Sequence, residues 1–201
     1  MTAGARRLWR SIHRAQVFTP AECRSLVALA DTLPGWDEAR VLHQGERQLR
    51  RGRRRARQLS VAGPNADPAL GDRLAPWLER IERLVRDLDA RHLRLGVRGV
   101  HDAQLVDYRR GGFFAWHPDS RDLDFRKLTA LCYLTDRDSD GLVGGETVFA
   151  PPSLRRLLLG TRLRRSGAAW LHWLPVVQAP RQGRAIVFDA RIVHRAHRVR
   201  R

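Results

Sequence analysis

The chain has 201 residues, 43% of them hydrophobic and 29% charged, enough for one globular domain with its own apolar core. Its formal net charge of +17 is almost wholly arginine, Lys127 being the only lysine. No run approaches the ~20 apolar residues of a membrane span, and the opening MTAGARRLWRSIHRAQVF has no signal-peptide core, so a cytoplasmic protein with no membrane partner is expected.

Cys23 and Cys132 sit in apolar segments far apart in the chain and read as free thiols rather than a disulfide. A basic balance attracts polyanions through counterion release. Here the arginine skew, with Asn65 the only asparagine, reads as codon usage acting on a solvated surface. The densest run, Arg50 to Arg57 (RRGRRRAR), carries no aromatic to stack a base, so nucleic acid is allowed as a partner but not favoured.

Thr19-Pro20-Ala21-Glu22 combines an N-cap residue, a proline at the first helical position and a glutamate at the third, a capping box that predicts a helix to about Asp31. Gln58 to Val61 predicts a short strand, and Asp67-Pro68 a second helix. Along that helix Leu70, Leu74, Trp77, Leu78, Ile81, Leu84, Val85 and Leu88 recur at three- and four-residue steps, a stripe expected to face the core. From Ala103 the rhythm changes to strand-like runs at Gln104 to Tyr108, Leu128 to Leu134, Glu146 to Phe149 and Ala185 to Phe188, parted by Gly- and Asp-rich turns. Helices followed by short strands predict an α+β chain whose second half is a sandwich or jelly roll. The Arg- and Leu-rich stretch between Pro151 and Pro175 reads as an insertion or lid.

His117-Pro118-Asp119 sets an imidazole and a carboxylate two residues apart, on one side of an extended chain. His194 follows the strand-like Arg184 to Phe188 and supplies a third ligand. Two histidines and one carboxylate leave metal positions open, as Fe(II) oxygen chemistry needs, whereas a structural zinc site is closed by four ligands. His197, three residues on, faces the other side of a strand, and Glu146 in Gly144-Gly145-Glu146-Thr147 reads as structural.

At these residues the chain resembles the prolyl 4-hydroxylase-like branch of the 2-oxoglutarate- and Fe(II)-dependent dioxygenases. Four segments carry the likeness in order: Tyr108-Arg-Arg-Gly-Gly-Phe-Phe-Ala-Trp-His117-Pro-Asp119, Arg126 to Leu134, Gly144 to Thr147, and Gly183 to Asp189 with His194 beyond. The capped helix at Phe18 to Cys23 resembles that family's usual start. The resemblance implies a double-stranded β-helix (jelly-roll) core over 103–201, carrying the 151–175 insertion, with 1–102 as a helical support packed on it in one structural unit. It implies Fe(II) held by His117, Asp119 and His194, 2-oxoglutarate and O₂ as cosubstrates, and ascorbate as a reductant. It also implies hydroxylation of a protein, peptide or metabolite, with release of succinate and CO₂. Tyr108 and Tyr133 are the implied hydrogen-bond donors to 2-oxoglutarate.

The family's cation for the distal carboxylate of 2-oxoglutarate lies further past the last histidine than this chain, ending at Arg201, extends. Arg198, Arg200 or Arg201 is therefore expected to substitute, and the final core strand to be short or truncated. Two alternatives follow from the same residues: a dioxygenase-fold binding module that has lost catalysis, and a nucleic-acid demethylase.

Overall fold

A computed structural model describes residues 12–43, 46–64, 66–120, 126–151 and 175–200. Most of the 151–175 segment and Arg201 lie outside them. In chain order the elements are β1 (Ile12–Gln16), α1 (Pro20–Thr32), β2 (Asp37–Glu38), β3 (Val41–His43), β4 (Glu46–Gln48), β5 (Arg54–Arg55), β6 (Arg57–Ala62) and α2 (Pro68–Leu88), which runs into a π-helical turn at Asp89–Leu93. Then come β7 (Ala103–Asp107), β8 (Phe113–His117), β9 (Leu128–Cys132), β10 (Thr147–Phe149), β11 (Val176–Gln178), β12 (Arg184–Asp189) and β13 (His194–Ala196).

Both helices begin where their caps place them. The Thr19 hydroxyl accepts from the Glu22 amide at 3.2 Å while the Glu22 carboxylate accepts from the Thr19 amide at 2.7 Å, so two end donors are satisfied reciprocally. Asp67 caps α2 by accepting from the Ala69 amide. Arg80 of α2 reaches back to Glu22 and to the Val17 carbonyl, pinning the second helix to the first. Thr19→Ala removes one cap acceptor and should cost about 1 kcal/mol, read as a shifted urea midpoint at constant slope.

The stripe on α2 is core only in its first half. Leu70 and Leu74 are buried with Leu26, Leu33, Leu59 and Val61, and Trp77 and Leu78 pack against that cluster. Ile81, Leu84, Val85 and Leu88 remain half-buried. The reason is length: a helix of 21 residues spans roughly 30 Å, whereas a six-residue β6 covers about 20 Å. The helix outruns the sheet, and Ile81 and Val85 line an open cavity instead.

Every strand pairing among the described residues is antiparallel. One sheet runs β1-β12-β9, a second β11-β10-β13-β8-β5, and a third β2-β6-β7, with β3-β4 as a separate pair. The core between the first two contains Ile12, Tyr133, Phe149, Val176, Ile186 and Phe188. The stretch expected as helical support thus also contributes β1 to β6, and three of these pair with strands of the second half. β1 lacks an apolar pattern, yet it completes one edge of β12, whose Ala185, Ile186, Val187 and Phe188 are fully buried. β5 falls inside the basic run, whose arginines are occupied locally: Arg51 pairs with Glu38 at 2.8 Å, and Arg54–Arg55 join β8.

Gly183 joins the two halves. Its carbonyl accepts from the Val17 and Phe18 amides at 2.8 and 3.2 Å, and its φ of 77° is one that glycine tolerates. A Cβ there would overlap the Phe18 carbonyl. Among the described residues no helix is long and apolar enough to cross a membrane.

Candidate metal centre

The second sheet brings the first and last metal candidates together. His117 ends β8 and His194 begins β13, and the two are directly opposite in the antiparallel register. Asp119 lies just past β8, where its amide and that of Ser120 both donate to the Ala190 carbonyl, at 2.8 and 3.2 Å. Ala190 in turn donates to the Lys127 carbonyl at 3.0 Å, so the turn after His117, the end of β12 and the start of β9 form one rigid corner. A register shift between His194 and Ala196 sets two residues of β8, Ala115 and Trp116, against the single Arg195 of β13. That bulge brings Phe114 and His117 to one face, where regular alternation would separate them, and their rings stack with centroids 3.4 Å apart.

One ligand atom from each of His117, Asp119 and His194 lies within 4.8 Å of the others. His117 Nε2 is 3.4 Å from Asp119 Oδ1, and His194 Nε2 is 3.6 Å from Asp119 Oδ2. Atoms bound to one ion at roughly 2.0–2.2 Å are about 2.8–3.6 Å from each other in octahedral or tetrahedral geometry, so each imidazole is at bridging distance from one oxygen of the Asp119 carboxylate. The other face of each imidazole fixes the tautomer: Nδ1 of His117 is 2.8 Å from the Ala115 carbonyl and Nδ1 of His194 is 2.9 Å from the Ile192 carbonyl. A proton shared with a carbonyl sits on Nδ1 and leaves Nε2 a bare lone pair aimed at Asp119.

The electrostatics agree with a cation site. Burial pushes the Asp119 carboxyl up, but His194 and His117 in the protonated forms they take at low pH, together with the Thr129 hydroxyl, outweigh it and hold the group well below the usual carboxylate range. Burial lowers His194 to about 4, with Asp119 opposing, so its imidazole is neutral at pH 7. In chelator-treated protein the unfolded imidazole takes a proton near 6.5 while the folded one resists to about 4, so the unfolded state binds more protons between them. Stability is then full above pH 6.5 and falls as pH drops through that window, by up to about 3 kcal/mol. Urea midpoints at pH 7 and pH 5 measure it; equal midpoints would contradict a neutral, buried His194.

Thr129 has a part that its sequence position did not reveal. Its hydroxyl donates to Asp119 Oδ2 at 2.6 Å and orients the carboxylate. The signal was available in the period of β9, since Thr129, Leu131 and Tyr133 alternate onto one face. Thr129→Val keeps the shape and removes the donor, and should weaken Mn(II) binding about 10- to 100-fold, measured by calorimetry. Phe188 and Phe149 complete the wall, with centroids 4.9 and 5.9 Å from the His194 ring.

The remaining candidates divide. Tyr108 and Tyr133 both line the cavity of about 1930 Å³ that contains the triad. Burial pushes both phenols up, that of Tyr133 to about 12. The Tyr133 hydroxyl is 2.7 Å from Thr147 Oγ1 and 3.3 Å from the Gln178 carbonyl, so a further acceptor would compete for its one proton. Arg198 and Arg200 are exposed and do not line that cavity. Arg198 lies over the Phe113 ring at 4.5 Å and donates to the Gly111 carbonyl, on the opposite side of β8 from Phe114. His197 faces outward to Glu146 at 3.2 Å.

Antiparallel sheets around two histidines and a carboxylate, with no fourth protein ligand in the cluster among the described residues, fit the donor set of the non-haem Fe(II) oxygenases. Residues 103–201, just under half of the chain, match the sequence model of the 2OG-Fe(II) oxygenase superfamily, which makes this part of the chain a 2-oxoglutarate-dependent oxygenase domain. Membership implies Fe(II), 2-oxoglutarate and O₂. Solved structures share the fold at low identity. A prolyl-4-hydroxylase from Pseudomonas putida has a TM-score of 0.63 at 18% identity, over 95% of this chain and 86% of that one. A prolyl hydroxylase from Trichoplax adhaerens, in complex with a peptide fragment of the hypoxia inducible factor oxygen degradation domain, has 0.65 at 13%, over 94% and 78%. The non-heme α-ketoglutarate-dependent carbocyclase SnoK of nogalamycin biosynthesis has 0.58 at 17%, over 98% and 77%. No curated protein sequence gives a significant match.

Proposed function

We propose that this protein is an Fe(II)- and 2-oxoglutarate-dependent dioxygenase that hydroxylates a carbon centre of a protein, peptide or small molecule and releases succinate and CO₂. The observation that carries this reading is the pair of bare Nε2 atoms, each fixed by a backbone carbonyl behind it and both turned on one ionised, oriented carboxylate. The facing sheets around the Phe149 and Phe188 core read as a jelly roll, and the free thiols Cys23 and Cys132 fit a cytoplasmic protein.

His117, Asp119 and His194 would hold the metal, and with 2-oxoglutarate and O₂ bound it supplies the oxidising power for hydroxylation. The chain's own task is to orient and to exclude water. Thr129 fixes the carboxylate, Phe114 and Phe188 shield the two imidazoles, and Tyr108 and Tyr133 present hydroxyls to the cosubstrate from the cavity wall. A second reading, a binding module that keeps the fold without catalysis, draws on the exposed positions of Arg198 and Arg200, which leave both far from a cosubstrate in the cavity.

The test is succinate formation from 2-oxoglutarate by Fe(II)-loaded protein in air, with and without ascorbate. Slow uncoupled turnover that requires Fe(II) and disappears with the ligands is expected. Metal-loaded protein that binds 2-oxoglutarate and makes no succinate would favour the binding module.

A further inference from the structure

We propose that the gap between β7 and β9 is a docking groove for an extended segment of another protein, a short β-prone apolar run with acidic residues at both ends, held as a strand between the two edges. The inference concerns the sheets and does not rest on the oxygenase reading.

Among the described residues β9 pairs only with β12, and β7 only with β6. The other edge of each faces the cavity of about 1930 Å³, whose wall includes every residue of both strands. The two edges are in step. Arg126, two residues before β9, is 3.5 Å from Asp102, one residue before β7, so the strands start together and run the same way along the gap. Their faces agree as well. Thr129, Leu131 and Tyr133 turn to the metal side, as does Tyr108 at the end of β7, while Leu105 and Leu134 both pack on the cluster under α2. One strand antiparallel to both would join them in a single sheet, in the order β1-β12-β9-strand-β7-β6-β2.

The backbone is ready for it. The Ala190 amide donates to the Lys127 carbonyl and the Tyr133 amide to the Arg184 carbonyl, so the hydrogen-bonded pairs of β9 with β12 fall on odd-numbered residues. The N–H and C=O groups of Ala130 and Cys132 therefore point into the gap. Neither strand contains a proline or lysine to blunt its open edge, and Val106 of β7 is 38% exposed.

Two features choose the occupant. Ile81 and Val85 of α2 line the same cavity half-buried, and apolar side chains on one face of an added strand would cover them. The described wall carries ten arginine or lysine side chains against six carboxylates, with Arg126 and Lys127 at one end of the gap and Arg109 and Arg110 at the other. A second copy of this chain, itself at +17, would be repelled, so the strand belongs to an acidic partner.

The probe is the peptide acetyl-Asp-Glu-Val-Thr-Val-Thr-Val-Glu-Asp-amide, titrated by calorimetry into the full chain, with amide hydrogen exchange by NMR as a second readout. In the free protein the Ala130 and Cys132 amides should exchange fast and those of Thr129 and Leu131 slowly, and saturating peptide should slow Ala130 and Cys132 about tenfold or more. A strand with neighbours on both sides uses every N–H, so proline in place of the central valine should weaken binding about tenfold, and lysine in place of the four acidic residues at least as much. Ala130→Pro removes an N–H that β12 does not use and should also weaken binding about tenfold, whereas Arg198→Gln, on the outer side of β8, should change nothing. Should Ala130→Pro fail to fold, the proline peptide and the exchange pattern decide. Ala130 and Cys132 amides already protected in the free monomer overturn the proposal, since the chain then fills its own gap, and a dimer whose dissociation exposes them overturns it in favour of a second copy. Absence of binding, binding that the proline or lysine peptide matches, or binding that leaves those two amides unprotected overturns it too.

Discussion

Asp119→Ala should abolish metal binding and turnover and leave the fold standing. The carboxylate is the only anion among the three clustered candidate ligands, and both Nε2 atoms are aimed at it from 3.4 and 3.6 Å, so its removal takes away the charge that would offset a bound metal's own. Turnover should fall by more than about a hundredfold, beyond what loss of a supporting hydrogen bond costs at such sites. Stability should move little. One hydrogen bond from Thr129 is lost, about 1 kcal/mol, while the desolvation cost of a buried charge disappears, so the two changes oppose each other. Thermal melts with and without Mn(II) separate the effects: the parent gains stability with metal concentration by mass action, and the variant should gain none. An Asp119→Ala protein that still melts higher with added Mn(II), to the same extent as the parent, would remove Asp119 from the site.

How much of this was legible in the residues depends on the range of the interaction that fixes each feature. Both helix starts were readable because a cap is settled within three residues, as Thr19 with Glu22 and Asp67 with Ala69 show. The members of the triad were readable as candidates because ligand chemistry restricts residue type and His117-Pro118-Asp119 is local. What stayed hidden depends on pairings between distant segments. Arg54–Arg55 has no alternation of apolar and polar residues, and is a strand only because β8 offers it an edge. Phe114 was not separable from Phe113 by any local pattern, since the bulge that turns it toward His117 exists only against β13. Arg198 and Arg200 are expected as anchors on chain position, and both are exposed, Arg198 lying over Phe113 on the outer side of β8.

The basic run changes meaning for the same reason. Read as composition it is a patch for polyanions, but its residues are divided between sheet hydrogen bonds, ion pairs with Glu38 and Asp107, and the rings of Trp36 and Phe114. Arginine's planar head both stacks on an aromatic and donates along its edge. A cationic cavity wall can therefore be built without an equal number of acidic residues in the core.

Phe188→Ala should be the most destabilising single change in the molecule and should weaken the metal site as well. Phe188 lies in the middle sheet position of β12, between Ile12 of β1 and Thr129 of β9, and is 0% exposed. Its ring meets Phe149 edge-on at 4.9 Å and His194 at the same distance, so one side chain supports both the core and the third candidate ligand. Truncation removes that burial and leaves a cavity which rigid strands on either side cannot fill, a cost of about 3–5 kcal/mol. Against a typical total of about 5–15 kcal/mol, that leaves a marginal protein, with a melting temperature lower by roughly 10 °C. Metal affinity should fall about tenfold in addition, because the His194 ring loses the wall that sets its orientation. Phe188→Leu keeps most of the volume and should cost about 1–1.5 kcal/mol, with metal binding near that of the parent. Urea unfolding and Mn(II) titration of both variants decide the matter. If Phe188→Ala lost stability as expected and bound Mn(II) with parental affinity, the ring would be a core residue only, and the orientation of His194 would rest on the Ile192 carbonyl alone.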